Sequence, residues 1–172
     1  MDYSNFLKQA EIKQFNNLNL LEEAFTHRSF SKTNNERLEF LGDAVLELAI
    51  TELLYADFPD RTEGDLTSFR AAIVRTESLA EEAITLGLGS LISMSKGEEA
   101  TGGRDRQYIL ADVFESLIGA LYLDQGYDAA KRFITKFVYY KTADIVKDRK
   151  DIDAKSKLQE ISQEMFKHTP FY

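Results

Sequence analysis

The amino-acid sequence predicts an all-α protein built as a bundle of several helices. Apolar residues recur at helical spacing over long stretches, whereas the strict alternation typical of a strand is nearly absent before residue 168. Both prolines, Pro59 and Pro170, fall where helices are expected to stop. With 172 residues, 44% of them hydrophobic, the chain can bury one core of ordinary size.

The N-terminal half predicts three helices in order. An apolar stripe from Leu18 to Phe25 indicates the first, and the run ERLEFLGDAVLEL, Glu36 to Leu48, indicates the second. Asp60 to Gly64 is expected to form a turn before a third helix that begins near Asp65.

Further helices are expected in the C-terminal half. Between Ser95 and Arg106, glycines and charged residues without an apolar period predict a mobile loop. A helix follows from Ile109 to Asp124. The last apolar stripe consists of Ala129, Ala130, Phe133, Ile134, Phe137, Val138, Ile145 and Val146.

Composition excludes several classes of site and location. There is no cysteine, and the two histidines are His27 and His168, so a disulfide framework, a cysteine nucleophile and a thiolate zinc site are excluded. No apolar run approaches the roughly 18 residues that span a bilayer, and the N-terminus does not resemble a secretion signal. We therefore expect a soluble, cytoplasmic protein.

The charge is distributed unevenly along the chain. The net charge of -8 argues against a polyanionic partner in general. Residues 131–172, however, carry 10 basic and 6 acidic side chains, whereas residues 1–130 carry 11 basic and 23 acidic side chains. The C-terminal part is therefore the part that tolerates a nucleic acid best.

Carboxylates line one face of the second predicted helix. Glu36, Glu39, Asp43 and Glu47 occur at i, i+3, i+7 and i+11. A solvated face explains Glu36 and Glu47 at least as well as a site does. Asp43 is harder to explain in this way, because it follows Gly42 inside an apolar helix and both residue types are unfavourable there.

A second acidic pair lies one helical turn apart in the Ile109–Asp124 segment. Asp112 and Glu115 either face the first acidic helix or form a capping box at a helix start, and the spacing alone leaves both readings open. If Glu39, Asp43, Asp112 and Glu115 converge, they need a compensating cation. Oxygen ligands favour Mg²⁺, with Mn²⁺ as a substitute, and such sites serve phosphoryl transfer or phosphodiester hydrolysis.

Five ordered motifs resemble the ribonuclease III family of double-stranded-RNA endonucleases, over roughly residues 5–147. They are EAFTHRSF (23–30), ERLEFLGDAVL (36–46), EGDLTSFRAAIV (63–74), KGEEATGGRDR (96–106) and LADVFESLIGALYLDQG (110–126). The resemblance implies a homodimer in which each subunit cuts one strand of duplex RNA. The implied products carry 5'-phosphates, 3'-hydroxyls and a short 3' overhang, and the implied substrates are ribosomal and messenger precursors.

The resemblance also implies roles for single residues. Glu39, Asp43, Asp112 and Glu115 match the metal-binding carboxylates, of which Asp43 and Glu115 are the catalytic ones. Glu36 lies near the RNA or the dimer interface, and Phe40 inserts into a pocket of the second subunit, although an ordinary core phenylalanine is the alternative. A structural role is favoured for His27. The expected phosphate contacts are Arg70, Arg75, Lys96, Arg104 and Arg106.

The resemblance divides the chain into a nuclease domain (1–147), a linker (148–153) and an incomplete fragment (154–172). The fragment resembles only the opening of a double-stranded-RNA-binding domain, which predicts weak binding at physiological salt. We expect a lone helix with a frayed end there. Two rivals are a non-catalytic protein of the same fold that binds RNA or assists ribosome assembly, and a small relative specialised for one ribosomal precursor.

Overall fold

The computed structural model describes residues 3–148 and residue 162. This part of the chain is helical, and its β-type pairing is a single isolated bridge between Thr26 and Ser93. The all-α prediction is confirmed. The predicted linker and C-terminal fragment fall outside the described residues, apart from Asp148, which ends a helix, and Ser162. The helices are α1 (Ser4–Gln9), α2 (Leu18–Ala24), α3 (Glu36–Asp57), α4 (Glu63–Val74), α5 (Thr76–Thr85), α6 (Lys96–Ala100), α7 (Gln107–Gln125), α8 (Tyr127–Phe137) and α9 (Thr142–Asp148), with 3₁₀ turns at Leu88–Leu91, Gly103–Asp105 and Tyr139–Lys141.

Helix α7 is the centre of the bundle. Eleven of its 19 residues are buried, from Ile109 to Leu121, and it packs against α2, α3, α5 and α8. A helix that is apolar on most of its circumference needs neighbours on all sides, which explains this central place. The core therefore forms around the helix that carries Asp112 and Glu115.

Side-chain caps fix several helix starts. The Asn17 side chain accepts the Asn19 N–H at α2. At α4, Thr62 and Asp65 form a reciprocal capping box, so α4 begins at Glu63 and includes two residues assigned by sequence to the preceding turn. Asp65 is the third residue of the helix.

Two segments differ from the sequence predictions. Residues 95–106 contain α6 and a 3₁₀ turn, because Ser95 caps α6 and ion pairs between neighbouring glutamates and arginines hold the segment together. The last apolar stripe is not one helix, since α8 ends at Phe137 and a 3₁₀ turn separates it from α9. The stripe itself lapses between Val138 and Ile145, where no apolar residue maintains the period on the buried face.

Candidate active site

The backbones of α3 and α7 cross at the acidic residues. A methyl group added to Gly42 would overlap the backbone carbonyl of Glu115, and one added to Gly119 would overlap the carbonyl of Leu38. Each helix thus has a glycine where the other passes, and no side chain separates them. The glycine that precedes Asp43 is explained by this packing, which brings Asp43 alongside Glu115.

Asp112 lies inside α7. The helix begins at Gln107 with Arg106 as the residue before it, so the capping-box reading of Asp112 and Glu115 is excluded. The carbonyl of Asp112 accepts the Ser116 hydroxyl at 2.6 Å. Asp112 and Glu115 are partly buried on consecutive turns of the most buried helix.

We call Glu39, Asp43, Asp112 and Glu115 the acidic cluster, because they interact electrostatically across the α3–α7 contact. Burial, followed by the charges of Asp43, Glu39 and Asp112, raises the pKa of Glu115 to about 8. Burial and then the charges of Asp112 and Glu36 raise the pKa of Glu39 to about 7. At neutral pH the acidic cluster therefore holds protons that ordinary carboxylates would release.

The pKa of Asp112 is raised in the same direction. Burial is the larger cause, and the nearby basic side chains of His27 and Arg28 oppose it. Glu36 and Glu47 are exposed at the two ends of the row, and Glu36 pairs with Arg28 at 3.6 Å. The solvated-face reading therefore describes these two glutamates better than it describes the acidic cluster.

The donor set of the acidic cluster fits a hard divalent cation. Four carboxylate groups and no thiol are present, and within residues 3–148 none of the four makes an ion pair with a basic side chain. The same part of the chain has no group of three or more acidic or histidine side chains already arranged for one ion. The acidic cluster therefore suits a divalent cation because its donors are carboxylate oxygens and because their negative charge is not neutralised by an ion pair within residues 3–148.

Sequence reasoning favoured a structural role for His27 but missed Asn35, Ser29 and Ser116, the polar residues that lie around His27 and the acidic cluster. Asn35 is buried, and its carbonyl lies 3.3 Å from Ser116 Oγ, next to Glu115, and shares the serine proton with the closer Asp112 carbonyl. His27 is buried and bonded to Ser29. The run THRS of the 23–30 motif was the sequence signal for the contact between His27 and Ser29. Sequence spacing cannot show, however, which backbone group a serine or asparagine reaches.

The five basic residues proposed for phosphate contact divide into two groups. Arg104 donates to the carbonyls of Gly89 and Ile92 at 2.9 and 2.7 Å, and Arg106 donates to the Thr101 carbonyl and pairs with Glu98. Arg70 donates to Thr51 Oγ1 at 2.9 Å. Within the described residues, the exposed side chains of Arg75 and Lys96 have no such partner.

Phe40 is 81% exposed, so the reading as an ordinary core phenylalanine is excluded within this chain. It borders a hollow of about 630 Å³ whose apolar lining includes Leu20, Leu41 and Leu123. An exposed aromatic ring beside an apolar hollow is typical of an interaction surface.

Solved structures define the class of this protein. The nuclease domain of ribonuclease III from Campylobacter jejuni, described for flexibility in its dimer-forming region, matches with a TM-score of 0.75 and 44% identity, over 79% of this chain and 98% of that one. Dicer from Pichia stipitis matches with a TM-score of 0.61 and 28% identity, over 94% of this chain and 74% of that one. The fold and the acidic cluster thus define an all-α nuclease domain.

Sequence comparisons identify the family. The profile of the family described as Ribonuclease-III-like matches residues 17–142. Ribonuclease 3 of Clostridium tetani is 48% identical over 168 residues, covering 95% of this chain and 71% of the relative. Ribonuclease 3 of Bacillus licheniformis is 52% identical over 157 residues, covering 87% of this chain and 63% of that relative's length. The chain belongs to the ribonuclease III family.

Proposed function

We propose that this chain is the catalytic part of an endoribonuclease that hydrolyses both strands of double-stranded RNA and depends on a divalent cation, Mg²⁺ or Mn²⁺. The observation that carries the proposal is the acidic cluster at the α3–α7 crossing, in which Glu39, Asp112 and Glu115 are half-buried, Asp43 is exposed, and no member has an ion pair within residues 3–148. Membership of the ribonuclease III family supports it. Ribosomal and messenger precursors in the cytoplasm are the proposed substrates.

Glu39, Asp43, Asp112 and Glu115 would hold the cation. When bound, the ion supplies positive charge that acidifies water and offsets the charge of the scissile phosphate. Asp43 is the exposed member of the acidic cluster, so its carboxylate is placed to accept a proton from the attacking water. The water oxygen would then bond to phosphorus as the bond from phosphorus to the 3' oxygen breaks, and that oxygen would take a proton from a neighbouring water, which gives 5'-phosphate and 3'-hydroxyl ends.

The protonation of Glu39 and Glu115 controls whether the site can bind a cation. Burial and mutual repulsion hold the pKa of Glu39 at about 7 and that of Glu115 at about 8. Both side chains must release their protons to become ligands. The proposed activity should therefore rise with pH through this range as the carboxylates become available.

RNA is proposed to contact the exposed basic residues Arg75 and Lys96 first. Arg70, Arg104 and Arg106 remain proposed phosphate contacts, but each would have to share or exchange an intramolecular partner. A homodimer joined through Phe40 would double the number of phosphate contacts on one duplex, and its two acidic clusters would cut opposite strands. Binding by this chain should consequently weaken steeply as salt rises.

The experiment incubates the purified chain with a long uniform RNA duplex at low salt, with magnesium, with calcium or with chelator, and maps the product ends. We expect short duplexes with 5'-phosphates and 3' overhangs in magnesium only. Intact RNA in magnesium despite measured binding would refute the proposal and favour the non-catalytic RNA-binding reading. Products made equally well in chelator would refute the metal requirement.

A further inference from the structure

The loop between α2 and α3, residues 26–35, carries a histidine whose ring is fixed by one serine. His27 is 9% exposed, and its Nδ1 lies 2.8 Å from Ser29 Oγ. The same Nδ1 accepts the backbone N–H of Ser29 at 3.2 Å. Because a backbone N–H can only donate, Nδ1 must be unprotonated, and the ring N–H lies on Nε2.

The Ser29 hydroxyl also reaches a distant segment. The backbone N–H of Ser95 donates to Ser29 Oγ at 3.0 Å, although the two residues are 66 positions apart. Since Ser29 Oγ accepts from Ser95, its own proton is left for His27 Nδ1. Ser95 Oγ in turn accepts the Glu98 N–H and caps α6. One hydroxyl thus joins His27 to the residue that starts α6.

The 26–35 loop is bonded on its other side to the helix of the acidic cluster. Asn35 is buried, its N–H donates to the Thr26 carbonyl at 2.9 Å, and its own carbonyl lies 3.3 Å from Ser116 Oγ, whose one proton it shares with the closer Asp112 carbonyl. The His27 N–H donates to the Ser93 carbonyl at 2.9 Å. The loop therefore lies between α7, one residue past Glu115, and residues 93–95.

We infer that Ser29 is a positioning residue whose hydroxyl holds residues 95–106, the α6 arm, in one register relative to the acidic cluster. Lys96 follows Ser95 directly, so this register decides where its exposed ammonium group meets an RNA phosphate. The inference rests on the proposed function. A hydroxyl suits this position because it accepts from Ser95 and donates to His27 at once, and alanine can do neither.

The test compares Ser29→Ala with Ser29→Thr, which keeps the hydroxyl, and with Ser90→Ala as a matched control. The Ser90 hydroxyl is exposed and bonds only locally, to the Gly87 carbonyl at 2.8 Å. For Ser29→Ala we expect KM for a long RNA duplex to rise about five- to tenfold, the loss of roughly one net hydrogen bond, with kcat within about twofold. Ser29→Thr restores KM, and Ser90→Ala does not change it.

Two further readouts do not depend on cleavage. Hydrogen exchange at the Ser95 amide should speed up about fivefold or more in Ser29→Ala and stay slow in Ser29→Thr. The ¹⁵N resonance of His27 Nδ1 should lie in the range of an unprotonated nitrogen and stay there in Ser29→Ala, because the backbone N–H of residue 29 still donates to it. If Ser29→Ala does not fold, Ser29→Cys replaces it, because it keeps the shape and weakens both hydrogen bonds.

Unchanged protection of the Ser95 amide in the alanine variant would overturn the inference. A fall in kcat at constant KM, or an equal effect of Ser90→Ala, would do the same. If the unaltered chain cleaves no RNA, the proposed function fails, and the Ser95 amide alone then decides whether Ser29 couples the two segments.

Discussion

At the scale of single residues, the acidic cluster combines carboxylates with different degrees of exposure. Glu115 is partly buried and Asp43 is exposed; burial raises the pKa of Glu115 most, and the charge of Asp43 raises it further. Burial keeps Glu115 protonated until a cation compensates its charge, whereas solvent keeps Asp43 accessible to water. Their environments therefore support the different roles proposed for the two residues.

Replacing Glu115 by glutamine separates catalysis from binding. The substitution keeps nearly the same shape but cannot supply the carboxylate charge that a bound cation would require, so RNA affinity should stay within about twofold while cleavage in magnesium falls on the order of 10³-fold or more. The matched control is Glu47→Gln, an exposed glutamate of the same acidic row on α3. Gel-shift and single-turnover cleavage assays measure the two effects. Full turnover in Glu115→Gln would remove this residue from the site.

The pH dependence of stability provides a second test of the acidic cluster. In the folded state the pKa of Glu39 is about 7 and that of Glu115 about 8, whereas an ordinary glutamate has a pKa of 4.5. Between pH 4.5 and 8 the folded chain binds more protons than the unfolded chain, so their contribution to the free energy of unfolding falls as pH rises. Magnesium should restore stability more at pH 8 than at pH 5.5.

Urea unfolding in chelator from pH 5 to pH 9 checks this slope against the double variant Glu39→Gln, Glu115→Gln. The variant should lose less stability than the parent over the same interval. Parallel curves for the two proteins would show that the protons are bound elsewhere.

At the scale of helices, the crossing of α3 and α7 depends on two glycines that lie against the opposite backbone. Gly42→Ala should cost about 3 kcal/mol or more, because its methyl group meets the Glu115 carbonyl and only a shift of a whole helix can relieve the overlap. Gly64→Ala is the control, since it lies in the first turn of α4 with no atom closer than 3.8 Å, and should be neutral or stabilising by up to about 1 kcal/mol. Equal melting temperatures for Gly42→Ala and the parent would contradict this account.

The sequence indicates the helices and the acidic positions because both depend on local spacing. Gly42 could be noticed as unfavourable in a helix, but its cause, the Glu115 backbone, is more than 70 positions away. The break at Val138 was missed for a similar reason. Tyr139 donates to Asp57 and Tyr140 donates to Glu82, and these long-range bonds favour a turn that the short lapse of the apolar stripe after Val138 does not predict by itself.

The turn after α8 is held by a buried ion pair. Glu82 is 5% exposed, and Lys141 Nζ lies 2.8 Å from its carboxylate while also donating to the Ser78 carbonyl. Lys141→Met should therefore cost about 3–5 kcal/mol, because it leaves Glu82 buried without its cation. Lys131→Met, which breaks the more exposed pair with Glu52, should cost under about 1 kcal/mol. Chemical denaturation of both variants measures the difference, and equal costs would refute it.

At the scale of the whole molecule, the acidic cluster lies beside the exposed apolar surface around Phe40. Phe40 and Glu39 are consecutive residues of α3, so an interface through the ring would begin immediately beside the carboxylates. The described part of the chain has no helix long and apolar enough to cross a membrane. A second copy of the chain is the proposed occupant of this surface.

Phe40→Ser tests the dimer without endangering the fold. The ring is 81% exposed, so its loss should change the melting temperature of the monomer little, whereas a dimer anchored by it should weaken by about 2 kcal/mol or more, roughly 30-fold in dissociation constant. Tyr55→Ser is the control, because Tyr55 is 77% exposed on the same helix, four turns away.

Sedimentation equilibrium gives the dissociation constants, and cleavage of a nicked duplex reports whether one acidic cluster works alone. If Phe40→Ser remains as dimeric as the parent, Phe40 does not anchor the interface. If it becomes monomeric but still cuts both strands at the same low concentration, the two acidic clusters act independently and the paired cut does not require the dimer.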